Sequence, residues 1–382
     1  MGLLHDAISR FVPPSSRSFH ALFSEVLDLR NDVRVLNDEV WKLREQNMDL
    51  QKLCCELGDL VSASTSSLKD DFDAHDTHAK MMLWNIMQED GESLESTKRR
   101  FFGTLPEAEG DLRLLQQGNS RLLFEFDSFC REHNVQYWLM FGTLLGAVRH
   151  GGFIPWDDDL DVGMMRGDIQ KLIHVTKASD KYRISSAFDW HAHCWQLRFM
   201  YRDIDNPCFI DLFIFDYSKR YGAEVFGDLV SLRQSMIDEM NSADKLAFWN
   251  RDNPILDAND KSSLSEDVWD VFRSYRAKAE SINITSASCE DCSGITFSIE
   301  NYCDSNDGIL SYDMKDIFPV ERLPFAGTAV SVPRDYLGIL SRCYGDIWSL
   351  PKDIHSHYSH VPSGALAKEE TKAAITRQLR EH

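Results

Sequence analysis

The stretch from residue 141 to residue 162 constrains this chain most, because a Gly-Thr pair, a glycine-rich segment and four aspartates follow one another there. Large apolar side chains precede and separate the aspartates, whereas solvated acidic loops rarely carry such side chains. Side chains of a strand alternate between two faces, so a strand over this run would place Asp157, Asp159 and Asp161 on one face. Crowded carboxylates repel each other, and a divalent cation relieves that repulsion. The alternative is an acidic loop exposed to solvent.

Asp211 is the lone charged residue of the apolar stretch 210–215, so it needs a compensating partner there. A metal shared with Asp159 and Asp161 would provide one, and a salt bridge to Arg198 is the alternative. Carboxylate oxygens are hard ligands that suit Mg²⁺ or Mn²⁺, with phosphate oxygens as co-ligands. The sequence therefore predicts a metal site formed by Asp159, Asp161 and Asp211.

The Gly142-Thr143 pair follows a predicted strand and precedes a predicted short helix. A turn of this kind can present backbone N–H groups to a phosphate. Arg149 lies in the basic segment before the aspartates, where it would bind either a phosphate or, for structural reasons, an aspartate. The predicted substrate-binding residues are Gly142, Thr143, Arg149, His150, Arg198, His355 and His357.

Residues 19–61 form the second strong pattern, a heptad repeat with Leu at every d position. Position a carries Phe, Val, Cys and the polar Asn47. β-Branched residues at a with Leu at d favour a parallel two-stranded coiled coil, and one polar a residue fixes its register. Glu25 would meet Arg30 of the partner helix. We predict a parallel homodimer, and the alternative is one amphipathic helix packed on its own domain.

Sequence pattern divides the chain into four segments. These are an N-terminal tail (1–18), a coiled-coil dimerisation helix (19–61), a partly helical spacer that starts with a serine-rich break (62–107), and a catalytic domain (108–382). Apolar periodicity in the last segment predicts both helices and strands. The helices are predicted over 111–133, 144–148, 168–176, 225–242, 265–279 and 334–344, and the strands over 135–141, 195–201, 209–215 and 328–332.

Composition restricts the kinds of binding partner and the cellular compartment that we expect for this chain. The net charge of −20 argues against a nucleic-acid partner. Nine scattered cysteines are not typical of a disulfide framework and indicate a reducing compartment. Cys289, Cys292 and Cys303 suggest a zinc site, but a fourth ligand at usable spacing is not evident, so no zinc is expected. We find neither a signal peptide nor an apolar run that could span a bilayer, and we expect a cytoplasmic protein, with peripheral contact at the inner face of the membrane as an option.

Residues 137–163 closely resemble the LicD family of metal-dependent transferases, which includes fukutin and fukutin-related proteins. The motif that carries the resemblance is FGTLLGAVRH at 141–150, followed by GFIPWDDDLD at 152–161. Weaker similarity at 210–213, 318–332 and 344–346 extends it through much of the segment 108–360. The heptad repeat lies outside it.

The resemblance implies an α/β (α+β) fold, a nucleotidyltransferase-like mixed sheet with surrounding helices, here preceded by the coiled-coil helix. It matches Gly142-Thr143 to the donor-phosphate turn and Asp159-Leu160-Asp161 to the Asp-x-Asp metal motif. Asp211 matches the third carboxylate, and Asp157 matches an additional upstream acid of the fukutin-related branch. The catalytic residues implied in this way are Asp157, Asp159, Asp161 and Asp211.

The activity that the resemblance implies is transfer of a phospho-alcohol from a CDP-linked donor to a sugar hydroxyl, with release of CMP. Choline is the expected alcohol and ribitol the alternative. The acceptor would be a cell-surface polysaccharide, such as a teichoic acid or a capsule repeat, or its lipid-linked precursor. Asp157 or Asp211 would accept the proton of the hydroxyl, and His355 and His357 are candidates for the acceptor side or for the base. Two alternatives stay open: a true nucleotidyltransferase with a small acceptor, and a non-catalytic coiled-coil scaffold.

Overall fold

The computed structural model describes residues 17–247, 255–302, 309–349, 360 and 364–380. The chain divides into two units at Met87 and Gln88, and each unit is described by itself. No helix among these residues is both long enough and apolar enough to cross a membrane.

The first unit is a single helix, α1 (Arg17–Met87), of 71 residues. At 1.5 Å per residue it is about 105 Å long. The serine-rich segment 62–67 was expected to interrupt the helix, but α1 continues through it, because serine weakens a helix by only a few tenths of a kcal/mol per residue. Val33, Leu36 and Leu43 of the heptad repeat are 55%, 58% and 64% exposed. The single chain thus leaves the apolar stripe uncovered, and the predicted dimer stays a prediction.

The second unit combines helices with a mixed sheet. Its helices are α2 (Leu94–Gly103), α3 (Gly110–Glu132), α4 (Phe141–Arg149), α5 (Arg166–Thr176), α6 (Ala223–Ser242), α7 (Ser263–Ser281), α8 (Met314–Ile317), α9 (Tyr336–Tyr344) and α10 (Glu369–Arg380). Its strands are β1 (Trp138–Leu139), β2 (Asp161–Met165), β3 (Tyr182–Asp189), β4 (Cys194–Tyr201), β5 (Phe209–Ser218), β6 (Ile255–Asp257), β7 (Gly294–Phe297), β8 (Ser311–Asp313), β9 (Glu321–Phe325) and β10 (Thr328–Val332).

Eight strands form the main sheet in the order β1-β2-β5-β4-β3-β6, with β7 paired to β5 and β8 paired to β7. The β2–β5 pair is parallel and the other pairs are antiparallel. The strands β9 and β10 form a separate hairpin. This mixed sheet with surrounding helices confirms the predicted α/β (α+β) class.

Helix α3 shows how sequence pattern becomes packing in this unit. Leu115, Leu122 and Phe126 recur at helical spacing and are fully buried. The Phe126 ring lies 5.0 Å from the Phe199 ring of β4, edge to face. Burial of one such aromatic side chain contributes roughly 2–3 kcal/mol. The apolar stripe of α3 therefore fixes this helix against the sheet, close to the acidic motif.

Several boundaries differ from the predictions. Strand β1 has two residues where seven were expected, and the acidic run is not a strand until Asp161. Strand β3 was not predicted, because its serines and partly exposed side chains give it little apolar pattern. By contrast, β10 has the predicted bounds, and α3 lies within one residue of its predicted ends.

Candidate active site

Three neighbouring strands place the central residues of the site in one row. Asp161 on β2 lies opposite Asp211 on β5, and Asp211 lies opposite Arg198 on β4. Residues opposite one another in a sheet point to the same face. Asp159 comes from the loop that enters β2, and its carboxylate lies within 4.8 Å of those of Asp161 and Asp211. The structure therefore brings the three predicted metal ligands together.

The cause of this convergence differs from the prediction. Alternation along one strand cannot align Asp157, Asp159 and Asp161, because only Asp161 belongs to β2. Cross-strand register aligns Asp161 with Asp211 instead. The loop before β2 then adds Asp159.

Asp161 has the environment of a metal ligand. It is only 9% exposed. Its backbone N–H donates to the Thr143 hydroxyl at 2.8 Å, whereas its carboxylate has no hydrogen-bond donor among the described residues. Burial raises the pKa of Asp161 well above its ordinary value, and the charges of Asp159 and Asp211 raise it further. A bound cation would remove the repulsion that causes this rise.

Asp211 takes part in both arrangements that the sequence left as alternatives, the salt bridge to Arg198 and the cluster with Asp159 and Asp161. Nε of Arg198 donates to Oδ1 of Asp211 at 2.8 Å, so the salt bridge is present. The same carboxylate belongs to the three-aspartate cluster. Burial raises the pKa of Asp211, and Arg198 opposes that rise through its charge and its hydrogen bond. Arg198 is thus the one arginine or lysine paired with the three carboxylates among the described residues, and the imidazole of His360 lies 3.3 Å from Asp159, which leaves charge for a divalent cation to balance.

Asp157 lies beside the cluster and supports it. Burial raises its pKa well above the ordinary value, and the charge and hydrogen bond of Asp159 raise it further. A Cβ placed on Gly142 would lie 2.9 Å from Oδ2 of Asp157, so the glycine leaves space for this carboxyl group. The contacts of Asp157 therefore point to a role in holding Asp159 in position.

His360 is a site residue that the sequence reasoning did not select. Its Nδ1 lies 2.8 Å from Asp158 Oδ1 and 3.3 Å from Asp159 Oδ2, and its backbone N–H donates to Asp158 Oδ2. Asp158, Asp159 and His360 form a second set of ligand atoms within 4.8 Å of one another. The histidine-rich tail was the available signal, but it pointed to His355 and His357, which lie outside the described residues.

Two predicted substrate-binding residues, Arg149 and His150, are buried away from the carboxylate cluster. Arg149 is 5% exposed, and its Nη1 donates to the carbonyls of Ile347 and Ser349. Burial lowers the pKa of Arg149 to about 10 and that of His150 to about 3. Both side chains pack against the Phe102 ring. Neither lines the cavity described below, so the structure gives Arg149 a structural contact in place of the expected phosphate contact.

Polar side chains on the buried face of α3 hold the acidic loop. Nε2 of Gln116 donates to the carbonyls of Ile154 and Asp157, at 3.2 and 2.8 Å. Nδ2 of Asn119 donates to the carbonyl of Asp158 at 3.0 Å. These two residues are positioning residues that the sequence reasoning missed. The available signal was two amides on the apolar side of a predicted helix.

A cavity of about 850 Å³ opens onto the aspartates. Volumes of this order are typical of small-molecule and cofactor sites. The three carboxylates of the cluster line it together with Arg198 and His360. Aromatic rings of Phe141, Trp195, Phe213 and Tyr344 form other parts of its wall. The arrangement can hold a cation of the Mg²⁺ or Mn²⁺ type beside an organic ligand that carries phosphate.

Comparison with known proteins agrees with this geometry. Residues 134–236 match the family model described as LicD/FKTN/FKRP, nucleotidyltransferase domain. The lipopolysaccharide cholinephosphotransferase LicD of Haemophilus influenzae is 36% identical over 107 residues, which cover 25% of this chain and 40% of that protein. Human and mouse ribitol 5-phosphate transferase FKRP are each 57% identical over 35 residues, which cover 9% of this chain and 7% of theirs.

The chain thus spans less than half the length of these relatives, which are phosphotransferases by name. The matched segment contains the two strands that carry Asp161 and Asp211 and the loop that carries Asp159. These matches confirm the resemblance of this chain to the LicD family.

Proposed function

We propose that this chain transfers a phospho-alcohol from a CDP-linked donor to a sugar hydroxyl and releases CMP, in a metal-dependent reaction. The observation that carries the proposal is the meeting of Asp159, Asp161 and Asp211 at a cavity of about 850 Å³. The named relatives agree with it, since both transfer a phosphorylated alcohol. Choline is the alcohol we propose, because the longer match is to a cholinephosphotransferase.

Asp159, Asp161 and Asp211 would hold Mg²⁺ or Mn²⁺. Their donor set fits such an ion, because all the ligand atoms are carboxylate oxygens and the Asp161 carboxylate has no other hydrogen-bonding partner among the described residues. A bound cation would neutralise charge on the donor diphosphate. Through the cation that they would hold, the three aspartates would position the phosphates and balance their negative charge.

The remaining roles follow from side chains that reach the cavity. An acceptor hydroxyl attacks the distal phosphorus, a new P–O bond forms, and the bond to the CMP oxygen breaks. Of the two carboxyl groups predicted to accept the hydroxyl proton, Asp211 lines the cavity and Asp157 does not. We therefore assign proton transfer to Asp211 and the positioning of Asp159 to Asp157. Arg198 lines the same wall and would contact a phosphate oxygen.

The acceptor we propose is a cell-surface polysaccharide or its lipid-linked precursor. The donor would be a soluble nucleotide, and we place the reaction in the cytoplasm or, for a lipid-linked acceptor, at the inner face of the membrane.

The test is CMP release from CDP-choline, CDP-ribitol and CDP-glycerol, with and without Mg²⁺ or Mn²⁺, in the presence of crude cell-envelope glycan. Metal-dependent CMP that is absent in an Asp159→Asn variant supports the proposal. Pyrophosphate instead of CMP would indicate a true nucleotidyltransferase. Metal binding without turnover on any donor would favour the scaffold alternative.

We further propose that two chains associate as a parallel homodimer through residues 19–61. The support is the exposed apolar stripe of α1, which includes Val33, Leu36 and Leu43. In a parallel coiled coil these side chains would interdigitate with their counterparts. The mass measured by light scattering distinguishes a dimer from a monomer. Disulfide cross-linking of an Asn47→Cys variant in which Cys54 and Cys55 are replaced by Ser distinguishes parallel from antiparallel helices.

A further inference from the structure

Aromatic side chains line the cavity next to the carboxylate row, which is formed by Asp161 and Asp211. Phe213 follows Asp211 by two residues on β5, so both side chains lie on the same face of the strand. At about 3.3 Å per residue, the two Cα atoms are roughly 7 Å apart. Both residues line the cavity. An aromatic ring thus lies one step along the strand from the predicted metal ligands.

Phe141 joins Phe213 at this place. Their ring centroids are 5.2 Å apart and the ring planes meet at 82°. Phe141 has a φ of +43°, in the left-handed region that a bulky residue rarely adopts. Such strain persists only where the surrounding structure requires it, and it is concentrated at functional sites. Phe141 therefore combines a strained backbone conformation with a position on the cavity wall, as residues of functional sites often do.

The charge of the cavity wall suits a cation. Carboxylates of Asp159, Asp161, Asp189 and Asp211 line the wall and outnumber the basic side chains there, Arg198 and His360, while Gln196 is among the uncharged polar residues. The Asn301 amide, which also lines it, is occupied by the backbone of Ile214, whose N–H it accepts and to whose carbonyl it donates. A polyol needs a hydrogen-bonding partner for each buried hydroxyl. A quaternary ammonium group needs none, and it is attracted both by aromatic rings and by negative charge.

The distances match a phosphocholine group. Four bonds separate phosphorus from nitrogen in phosphocholine, and four bonds of about 1.5 Å span roughly 5 Å in an extended chain. A phosphate at the carboxylate row would therefore bring its ammonium group over the row that contains Phe213.

We infer that Phe141 and Phe213 form the subsite for the quaternary ammonium group of the transferred alcohol, and that this pair selects choline over ribitol. This inference rests on the proposed function and adds to it the residues that determine donor specificity.

The experiment compares CDP-choline with its uncharged carbon isostere, the CDP ester of 3,3-dimethylbutanol. Both have the same shape, so the affinity ratio isolates the positive charge. Calorimetric titration in Mg²⁺ measures that ratio without requiring turnover. We expect wild-type protein to bind CDP-choline about tenfold more tightly than the isostere. Phe213→Leu and, independently, Phe141→Leu keep an apolar side chain and should bring the ratio toward one.

Phe199→Leu is the matched control, because Phe199 lies on β4 with its ring buried against Phe126, outside the cavity wall. This variant should keep the wild-type ratio, and thermal unfolding of all variants checks that they fold. Equal wild-type affinity for the two compounds, or an unchanged ratio in both cavity variants, would overturn the subsite. Metal-dependent CMP release from CDP-ribitol in that case would leave the proposed transferase function intact.

Discussion

Replacement of Asp161 by Asn should make the metal-free protein more stable while it abolishes activity. The wild-type carboxylate is buried, has no hydrogen-bond donor among the described residues, and lies within 4.8 Å of the Asp159 and Asp211 carboxylates. An uncompensated buried charge costs a few kcal/mol, and its removal should stabilise the fold by roughly 2 kcal/mol. For the unit formed by residues 88–382 that corresponds to a rise of about 3 °C in Tm.

The stabilisation that metal binding provides should be smaller in Asp161→Asn than in the wild-type protein. At a free metal concentration of 100 times Kd, binding to the folded state alone stabilises wild-type protein by about 2.7 kcal/mol. Asp161→Asn removes one of three ligands, so we expect less than about 1 kcal/mol at the same concentration. Calorimetric or fluorescence unfolding scans with and without Mg²⁺ or Mn²⁺ measure both effects. CMP release measured in parallel should be lost.

The pH dependence of the unfolding free energy provides a second check on the role of Asp161. Burial raises the pKa of Asp161 above its ordinary value, so above that ordinary value the folded state holds the proton more tightly than the unfolded state does. The metal-free wild-type protein should therefore lose stability as pH rises from the ordinary pKa of aspartate through the raised value. Asp161→Asn should reduce that loss. A metal-free variant that is less stable than wild type and still gains full stabilisation from metal would refute the assignment.

Three further changes test the surroundings of the site and the dimer. Thr143→Val should cost about 1–3 kcal/mol in urea unfolding, because it leaves a buried backbone N–H without an acceptor, whereas Thr143→Ser should retain most of the stability. Gly146→Ala would place a Cβ 2.4 Å from the Gly152 carbonyl oxygen and should cost more than about 2 kcal/mol. Gly167→Ala, with open space around its Cβ, should be neutral or stabilising by about 0.5–1 kcal/mol in the same assay. Leu36→Asp should convert the proposed dimer to monomer in light scattering and leave CMP release per chain within about twofold of wild type.

The sequence was sufficient to group the three aspartates of the proposed metal site but not to show how the fold brings them together. Residue chemistry alone grouped Asp159 and Asp161 with Asp211, since a lone carboxylate in an apolar strand needs compensation. The contribution of cross-strand register, with Asp161 opposite Asp211, depends on which strands are neighbours. Sequence periodicity does not report strand order, so the motif was interpreted as one long acidic strand when it is mostly a loop.

Contacts between residues far apart in the sequence could not be predicted from local sequence pattern either. His360 reaches Asp158 from a position 202 residues away, and nothing in the spacing of the histidines distinguishes it from its neighbours. Arg149 is buried against carbonyls about 200 residues away, although a basic residue beside an acidic motif is typical of ligand binding. Long-range packing decides such cases, and one sequence contains no record of it.

Residues of the glycine-rich motif, among them the Gly142-Thr143 pair that was expected to contact phosphate, share a structural role. Gly142 leaves space for the Asp157 carboxyl group, and the Thr143 hydroxyl accepts the N–H of Asp161. Gly146 allows close approach of the Gly152 carbonyl, which a Cβ would prevent. Each of these contacts fixes part of the loop that delivers the aspartates. The motif therefore acts as a frame for the carboxylates, and Gly142, Thr143 and Gly146 contribute to it from outside the cavity wall.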